Sequence, residues 1–378
     1  MRRANRAGRS YHGDVPADLS PPPGDPAGPA PAAGPPPAPR GAGGARSAAR
    51  RWVAAVWDPT PVSMRRIALA GVISSAVIIV TGAAVRLSKS GLGCPDWPQC
   101  TRSSLVAAPT RGDPMFHTWI EFGNRMVTVV VTVVAVAVLI AAWRFRPGGR
   151  RRRDLVWLAA AQPAGVVAQI VVGGIVVLTD LNPALVSLHF VVSVAVVAAA
   201  VALHVKCTEG TAPARSLVRP DLRLLACGVV AVTAVMLAAG TVVTGTGPLA
   251  GAGAVPRYHL PLTGVTQFHS DIGWLLGGLA LSLVIGLRLT RAPARVMRLG
   301  WLLLGLLGAQ GVIGYTQYFT GLPAGLVWVH VSGSLLIWIA ALRLMFAVRD
   351  RGPLVPPPAS SGGPAASALP ETQPAPAR

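Results

Sequence analysis

Residues 168–189 read AQIVVGGIVVLTDLNPALVSLH, and residues 309–330 read AQGVIGYTQYFTGLPAGLVWVH. The two stretches align without a gap, and nine of twenty-two positions are identical. Gln169 matches Gln310, Gly173 matches Gly314, Thr179 matches Thr320 and His189 matches His330. Each stretch is an apolar run, a short turn and the start of another apolar run, so the repeat unit contains more than one helix. A weaker echo pairs Val80-Thr81-Gly82 with Val243-Thr244-Gly245.

Outward from this pair, eight apolar runs cover roughly 65–84, 118–143, 155–178, 184–205, 223–245, 265–288, 299–319 and 325–347. Each approaches the roughly 20 residues that a membrane helix needs, and each is apolar around its whole circumference rather than along one stripe. Only 13% of the 378 residues are charged and 52% are hydrophobic, against about a quarter charged in a soluble domain. The expected fold is all-α: a polytopic membrane protein of eight transmembrane helices in two pseudo-symmetric four-helix bundles. Four helices per repeat give both halves the same orientation across the bilayer, unlike an inverted repeat.

The formal net charge of +20 would suggest nucleic acid in a soluble chain. Here the basic residues fall between apolar runs, as in RFRPGGRRRRD at 144–154, with no basic face interleaved with aromatics, so a nucleic-acid role is excluded. TDLNPA (179–184) and TGLPAG (320–325) carry no Lys or Arg. The positive-inside rule then puts the Arg-rich loops and both termini in the cytoplasm of a plasma-membrane protein, and the loops 85–117, 179–184, 246–264 and 320–325 outside. Residues 1–62 contain SPPPGDPAGPAPAAGPPPAPRGAGGARSAARR and are expected to be a disordered cytoplasmic tail, as are residues 350–378. Met64, just before the first run, is an alternative start. Between the tails, 63–206 form the first half, 207–222 a cytoplasmic linker and 223–349 the second half.

Ionisable groups inside membrane helices are costly and mark function. Glu121, Asn124 and Arg125 fall on the second helix, His189 on the fourth, His269 and Asp271 on the sixth and His330 on the eighth, with His117 at the start of the second. At ~1.5 Å per residue, all lie within a few turns of the outer end. His269 and His330, at matched depth in one half, suit axial ligation of a haem iron across a bundle; the plainer alternative is a hydrogen bond from each to a neighbouring helix. Zinc would want further ligands, and only Asp271 is near. In the first half the counterpart of His269 is Asn124. His117, Glu121 and Asn124, spaced i, i+4, i+7, share one face. Glu121 can act as a proton acceptor, or Glu121 and Arg125 can neutralise each other at i, i+4.

Cys94 and Cys100, in GLGCPDWPQC (91–100), are close enough for a disulfide in an oxidising space, as a staple or a redox pair. Cys207 and Cys227 read as inert thiols. Gly173, Gly174 and Gly314 permit close approach of helices or of a flat macrocycle. Arg86, Lys89 and Arg257 are outer-side cations suited to haem propionates or lipid phosphates. His204 reads as a snorkelling side chain, and His12 and His259 carry no assignment.

These motifs together resemble the haem A synthase family: Thr81-Gly82-Ala83-Ala84-Val85-Arg86-Leu87 running into GLGCPDWPQC, then IEFGNRM (120–126), SLHF, QFHSD and VWVHVSG, over about residues 65–347. The resemblance implies oxidation of the C8 methyl of haem O to a formyl group, giving haem A for cytochrome oxidase. It implies a haem b between His269 and His330, and haem O as substrate in the first half with Glu121 and His189. It maps the family's outer cysteine pair onto Cys94 and Cys100. The partners it implies are haem O synthase and cytochrome oxidase assembly factors, in contact with membrane lipid. Two features depart from the family pattern. Asn124 stands where many members have His, leaving His189 with His117 as a candidate second ligand, and the loop 244–264 lacks the second cysteine pair of some members. The rival readings are a b-type electron-transfer cytochrome and a haem transporter or chaperone.

Overall fold

A computed structural model describes residues 42–101, 104–107 and 115–354. Nine helices stand in the described residues: α1 (Ala42–Trp57), α2 (Pro61–Leu87), α3 (Met115–Arg144), α4 (Arg153–Leu178), α5 (Pro183–Lys206), α6 (Pro220–Thr246), α7 (Leu262–Leu289), α8 (Ala294–Phe319) and α9 (Ala324–Ala347). The eight from α2 to α9 are long and apolar enough to cross a membrane, and each contains one of the eight expected runs. At ~1.5 Å per residue they reach about 36–45 Å, beyond the ~30 Å hydrocarbon core. The chain is a multi-pass membrane protein.

Local chemistry sets the helix ends. α2 starts with Pro61 behind a Thr60 cap that exchanges hydrogen bonds with Ser63, and α5 starts with Pro183 behind Asn182, whose Oδ1 accepts from the Ala184 N–H at 3.0 Å. Proline costs nothing at a first helical position, where its missing N–H would be unpaired anyway. The repeated turns are also alike. Asp180 and Leu181 in one, and Gly321 and Leu322 in the other, take positive φ. The Leu181 N–H donates to Val176 O at 2.9 Å, and the Leu322 N–H to Gln317 O at 2.8 Å.

Helices α2–α5 close one four-helix ring and α6–α9 a second, each helix packed on the next and the last on the first. The rings meet through α2 and α5 on one side and α6 and α9 on the other. Trp338 Nε1 on α9 donates to Val194 O on α5, and Trp328 Nε1 to Val80 O on α2, both at 3.0 Å. Around Trp338 a cluster including Val72, Val197, Leu237 and Leu342 fills the seam.

Each ring is packed at one end. In the first, Met64, Ala68, Val138, Ala141, Phe145, Leu155 and Leu203 form a cluster. In the second, Leu222, Ala226, Leu283, Leu287, Val296 and Leu344 do so. By their places along the helices, both clusters lie toward the Arg-rich loops. Toward the end that carries the histidines, the rings open.

Three features depart from the expected tails and linker. Ala42–Trp57 is helical although it falls within 1–62, because no proline interrupts the chain between Pro39 and Pro59 and Ala and Arg are strong helix formers. Val56 joins the first ring's packed cluster, and the Arg144 guanidinium lies 4.4 Å from the centre of the Trp57 ring. Residues 350–354 are ordered in part, with β2 (Arg349–Asp350) pairing antiparallel with β1 (Arg215–Ser216) inside the expected linker. The Gly210 N–H donates to Gly352 O at 2.9 Å, and Arg349 meets Glu209 at 3.4 Å. These backbone pairings hold a segment whose composition alone gave no reason for order. The disorder expected for residues 1–41 and 355–378 lies outside the described residues.

Two predictions follow from this packing. A Cβ on Gly165 would run into the Val196 side chain, and a β-branched residue on a helix has little rotamer freedom to yield. Gly165→Ala should lower the detergent melting temperature, at an overpacking cost of about 1–3 kcal/mol. Gly305→Ala, at a site with nothing within 4 Å, should leave it unchanged or raised. Burial pushes the Cys207 thiol up to about 12, so at pH 8.5 it has almost no thiolate. Iodoacetamide should label Cys207 only after denaturation in SDS, as read by peptide mass spectrometry.

Candidate functional site: a histidine-lined cavity

A cavity of about 1900 Å³ occupies the open ends of both rings, with Glu121, Asn124 and His189 from the first and His269 and His330 from the second in its walls. Drug-sized ligands take roughly 300–1,000 Å³, so this space suits two large ligands rather than one.

The imidazoles are seated by glycines. A Cβ on Gly173 of α4 would stand 3.1 Å from His189 Cε1, one on Gly240 of α6 3.2 Å from His269 Cε1, and one on Gly314 of α8 3.2 Å from His330 Cε1. Any larger residue would push the ring away. Gly82 of α2 faces Asn124 Nδ2 at 4.0 Å in the same sense. Gly82 therefore corresponds to Gly240; Gly245, its partner in the sequence echo, faces Tyr258 instead.

The His269 and His330 ring centres are 6.4 Å apart. Two imidazoles sharing one metal, with bonds of about 2.0–2.1 Å and about 1.1 Å from nitrogen to ring centre, would stand roughly 6 Å apart. Nδ1 of His189, His269 and His330 is buried without a hydrogen-bond partner, so a bond from Nδ1 to a neighbouring helix does not account for these residues. Asp271 is held by Gln267 Nε2 at 2.7 Å on an exposed face and does not line the cavity. Among the described residues no three His, Cys, Asp or Glu side chains are grouped to hold a metal ion alone. The donor set thus fits a metal whose other ligands come from a macrocycle, and the fit with haem is good.

The first ring is organised by Arg125. Its guanidinium meets Glu121 Oε1 at 2.8 Å and donates to the carbonyls of Cys94 (2.9 Å), Asp96 (3.2 Å) and Gln99 (3.0 Å). Glu121 Oε2 accepts from the Cys94 N–H at 2.8 Å. Glu121 is 6% exposed, and a charge so buried is tolerated only with partners like these. Glu121 pairs with Arg125, and it also lines the cavity. Cys94 and Cys100 are disulfide-bonded and fully buried. The loop between them lays Trp97 against Gly174, whose Cβ would be 2.6 Å from the indole, making Trp97 a wall of the cavity.

His117 is not brought to the cavity. Its Nδ1 shares a 2.8 Å hydrogen bond with Ser90 Oγ, and it is absent from the cavity walls. Of the outer cations, Arg86 lines the cavity with Nε donating to Leu249 O at 3.3 Å, while Lys89 and Arg257 do not line it. His204 lies at the Arg-rich end against Arg65 O.

Two working residues stood in the sequence only as repeat or motif positions, without a role. Gln169 Nε2 donates to His189 O and Ser193 Oγ, both at 2.8 Å, fixing the start of α5. Thr81 Oγ1 donates to Asn124 Oδ1 at 2.7 Å. The signal for the cradles was available as a glycine on each helix preceding a polar cavity residue. The role of Arg125 as the loop's anchor had none.

Fold and site together define a class: an eight-helix membrane protein whose two repeated bundles aim imidazoles into a common cavity. A family model described as cytochrome oxidase assembly protein matches residues 65–342, and the chain belongs to that family. Over 115 residues, 29% of this chain and 32% of the relative, it is 33% identical to the heme A synthase of Geobacillus thermodenitrificans. Over 113 residues, with the same coverage, it is 34% identical to that of Geobacillus kaustophilus. It is 29% identical to that of Lysinibacillus sphaericus over 32% of this chain and 37% of the relative. The matched stretch spans about a third of the length of these curated relatives.

If Arg125 holds the loop, Arg125→Ala should speed reduction of the Cys94–Cys100 bond by a membrane-impermeant phosphine at least several-fold, followed by maleimide mass-tagging. Ser282→Ala, on α7 with its hydroxyl bonded to Gly278 O, serves as the control.

Proposed function

We propose that the protein makes haem A from haem O in the first ring, in net terms turning the C8 methyl and one water into a formyl group, four protons and four electrons that pass to an external oxidant, with a haem b between His269 and His330 in the second. The observation that carries this is the imidazole pair at 6.4 Å in a cavity shared with His189 and the buried Glu121. The family membership and the heme A synthases among the relatives support it.

Haem b, when bound, supplies one-electron exchange. The chain's own residues do the rest. His189 holds the substrate haem from α5, its ring lodged on Gly173 and its carbonyl tied by Gln169. Glu121, fixed at both oxygens by Arg125 and the Cys94 N–H, takes on Oε2 a proton released as the methyl is oxidised. Arg86, in the cavity wall, pairs with a propionate. Trp97, backed by Gly174, keeps water from the reacting edge. The Lys and Arg distribution supports a plasma-membrane location with the cavity toward the outer face and both chain ends cytoplasmic. A membrane-bound, reactive substrate favours transfer from haem O synthase and delivery toward cytochrome oxidase assembly factors.

A b-type cytochrome or a haem transporter has no need of a carboxylate in one ring only, and by the repeat the second-ring counterpart of Glu121 is Thr266. The test is co-expression with a haem O synthase, followed by extraction and mass spectrometry of the haems. Haem B with haem A is expected from the natural chain. Glu121→Ala should lose haem A and keep haem B, and His269→Ala should lose haem B. Haem B alone, unchanged by co-expression and by Glu121→Ala, would leave a b-type cytochrome as the better account.

A further inference from the structure

The two rings differ at one axial position. Asn124 holds in the first ring the place of His269 in the second: each lies on its ring's second membrane helix and faces a glycine of the preceding one, Gly82 or Gly240. Thr81 Oγ1 donates to Asn124 Oδ1 at 2.7 Å, so the carbonyl end of the amide is engaged. Nδ2 is the atom nearest Gly82, and Asn124 is part of the cavity wall. An amide nitrogen is not among the axial ligands that haem proteins use, but it carries two N–H donors.

The other candidates for a second ligand are committed elsewhere. His117 is held by Ser90 and does not line the cavity. Glu121 is paired with Arg125 and the Cys94 N–H and serves as the proton acceptor of the reading above. A haem in the first ring therefore meets one imidazole, that of His189, whereas in the second it meets two.

We propose that the first ring binds its haem through His189 alone and leaves the opposite axial face open to a diatomic gas, with Asn124, oriented by Thr81, as the hydrogen-bond donor to that ligand. This rests on the haem reading above. Donors on the open side of a haem decide whether a diatomic is bound and held. The second ring, closed on both faces by His269 and His330, serves electron exchange and stays inert to such ligands. Asn124 thus touches the bound ligand in the first ring where His269 holds the corresponding place in the second, and Thr81 positions it.

Carbon monoxide is the probe. The full-length protein, purified in detergent with both sites loaded and reduced, should convert about half of its haem to the carbonyl form. Asn124→His should keep both haems but lose the reactive half, since a second imidazole competes for the open face. Asn124→Leu should keep the reactive half and shift the C–O stretch to higher frequency, because the donor is gone. The unreactive His269–His330 haem reports in each variant that the protein is folded. Two haems that both ignore carbon monoxide, or an Asn124→His protein that still binds it, would overturn the open-face proposal and leave the haem reading standing. Absence of haem from both rings would overturn the haem reading itself.

Discussion

The imidazole resting on a glycine of the preceding helix is the contact on which the site depends. It occurs at Gly173–His189, Gly240–His269 and Gly314–His330, with Gly82–Asn124 as a looser fourth case. In a bilayer, close approach of helices is usually where small residues contribute stability, through backbone packing. Here the glycines give that space to ring atoms. The stabilising contacts then have to lie elsewhere, and they do: both packed clusters are toward the Arg-rich end, and the seam is filled around Trp338. Each ring is closed at one end and hollow at the other. That division lets a cavity of about 1900 Å³ exist between helices that still pack well.

A second constraint is the placement of charge. One guanidinium, Arg125, compensates the buried Glu121 and draws in three carbonyls of the loop around the disulfide. The same contacts that make a buried carboxylate tolerable bring Trp97 over Gly174. Charge compensation and cavity wall are one structure. In the second ring the wall is built differently: Trp274 of α7 donates to the Tyr315 hydroxyl at 3.0 Å, and Tyr315 is the repeat counterpart of Gly174. A duplicated scaffold has thus kept its helices and turns while its walls and ligands diverged.

Much of this was legible in the sequence because its causes are local. A bilayer demands apolar runs of a set length, so the eight spans stood out. A repeat preserves the turn chemistry of Thr179-Asp180-Leu181 and Thr320-Gly321-Leu322, so the twofold plan and the matching of His189 with His330 followed. Depth along a helix is a count of residues, which placed Glu121, His189, His269 and His330 at one level. The helix Ala42–Trp57 was hidden because the proline-rich stretch before it dominated the composition of the whole tail.

What the sequence by itself determined was the number of membrane-spanning helices, their pairing into two halves and the level of the polar residues, because length, periodicity and repetition are properties of the chain alone. Only the tertiary structure decided which of those residues meet. It turned His269 toward His330 and Asp271 away, gave His117 to Ser90, tied Glu121 and the disulfide loop to one arginine, and shifted the match of Gly82 from Gly245 to Gly240. Each of these depends on rotation about a helix axis and on which neighbour lies across it. Neither is recorded in the spacing of residues along one strand of sequence.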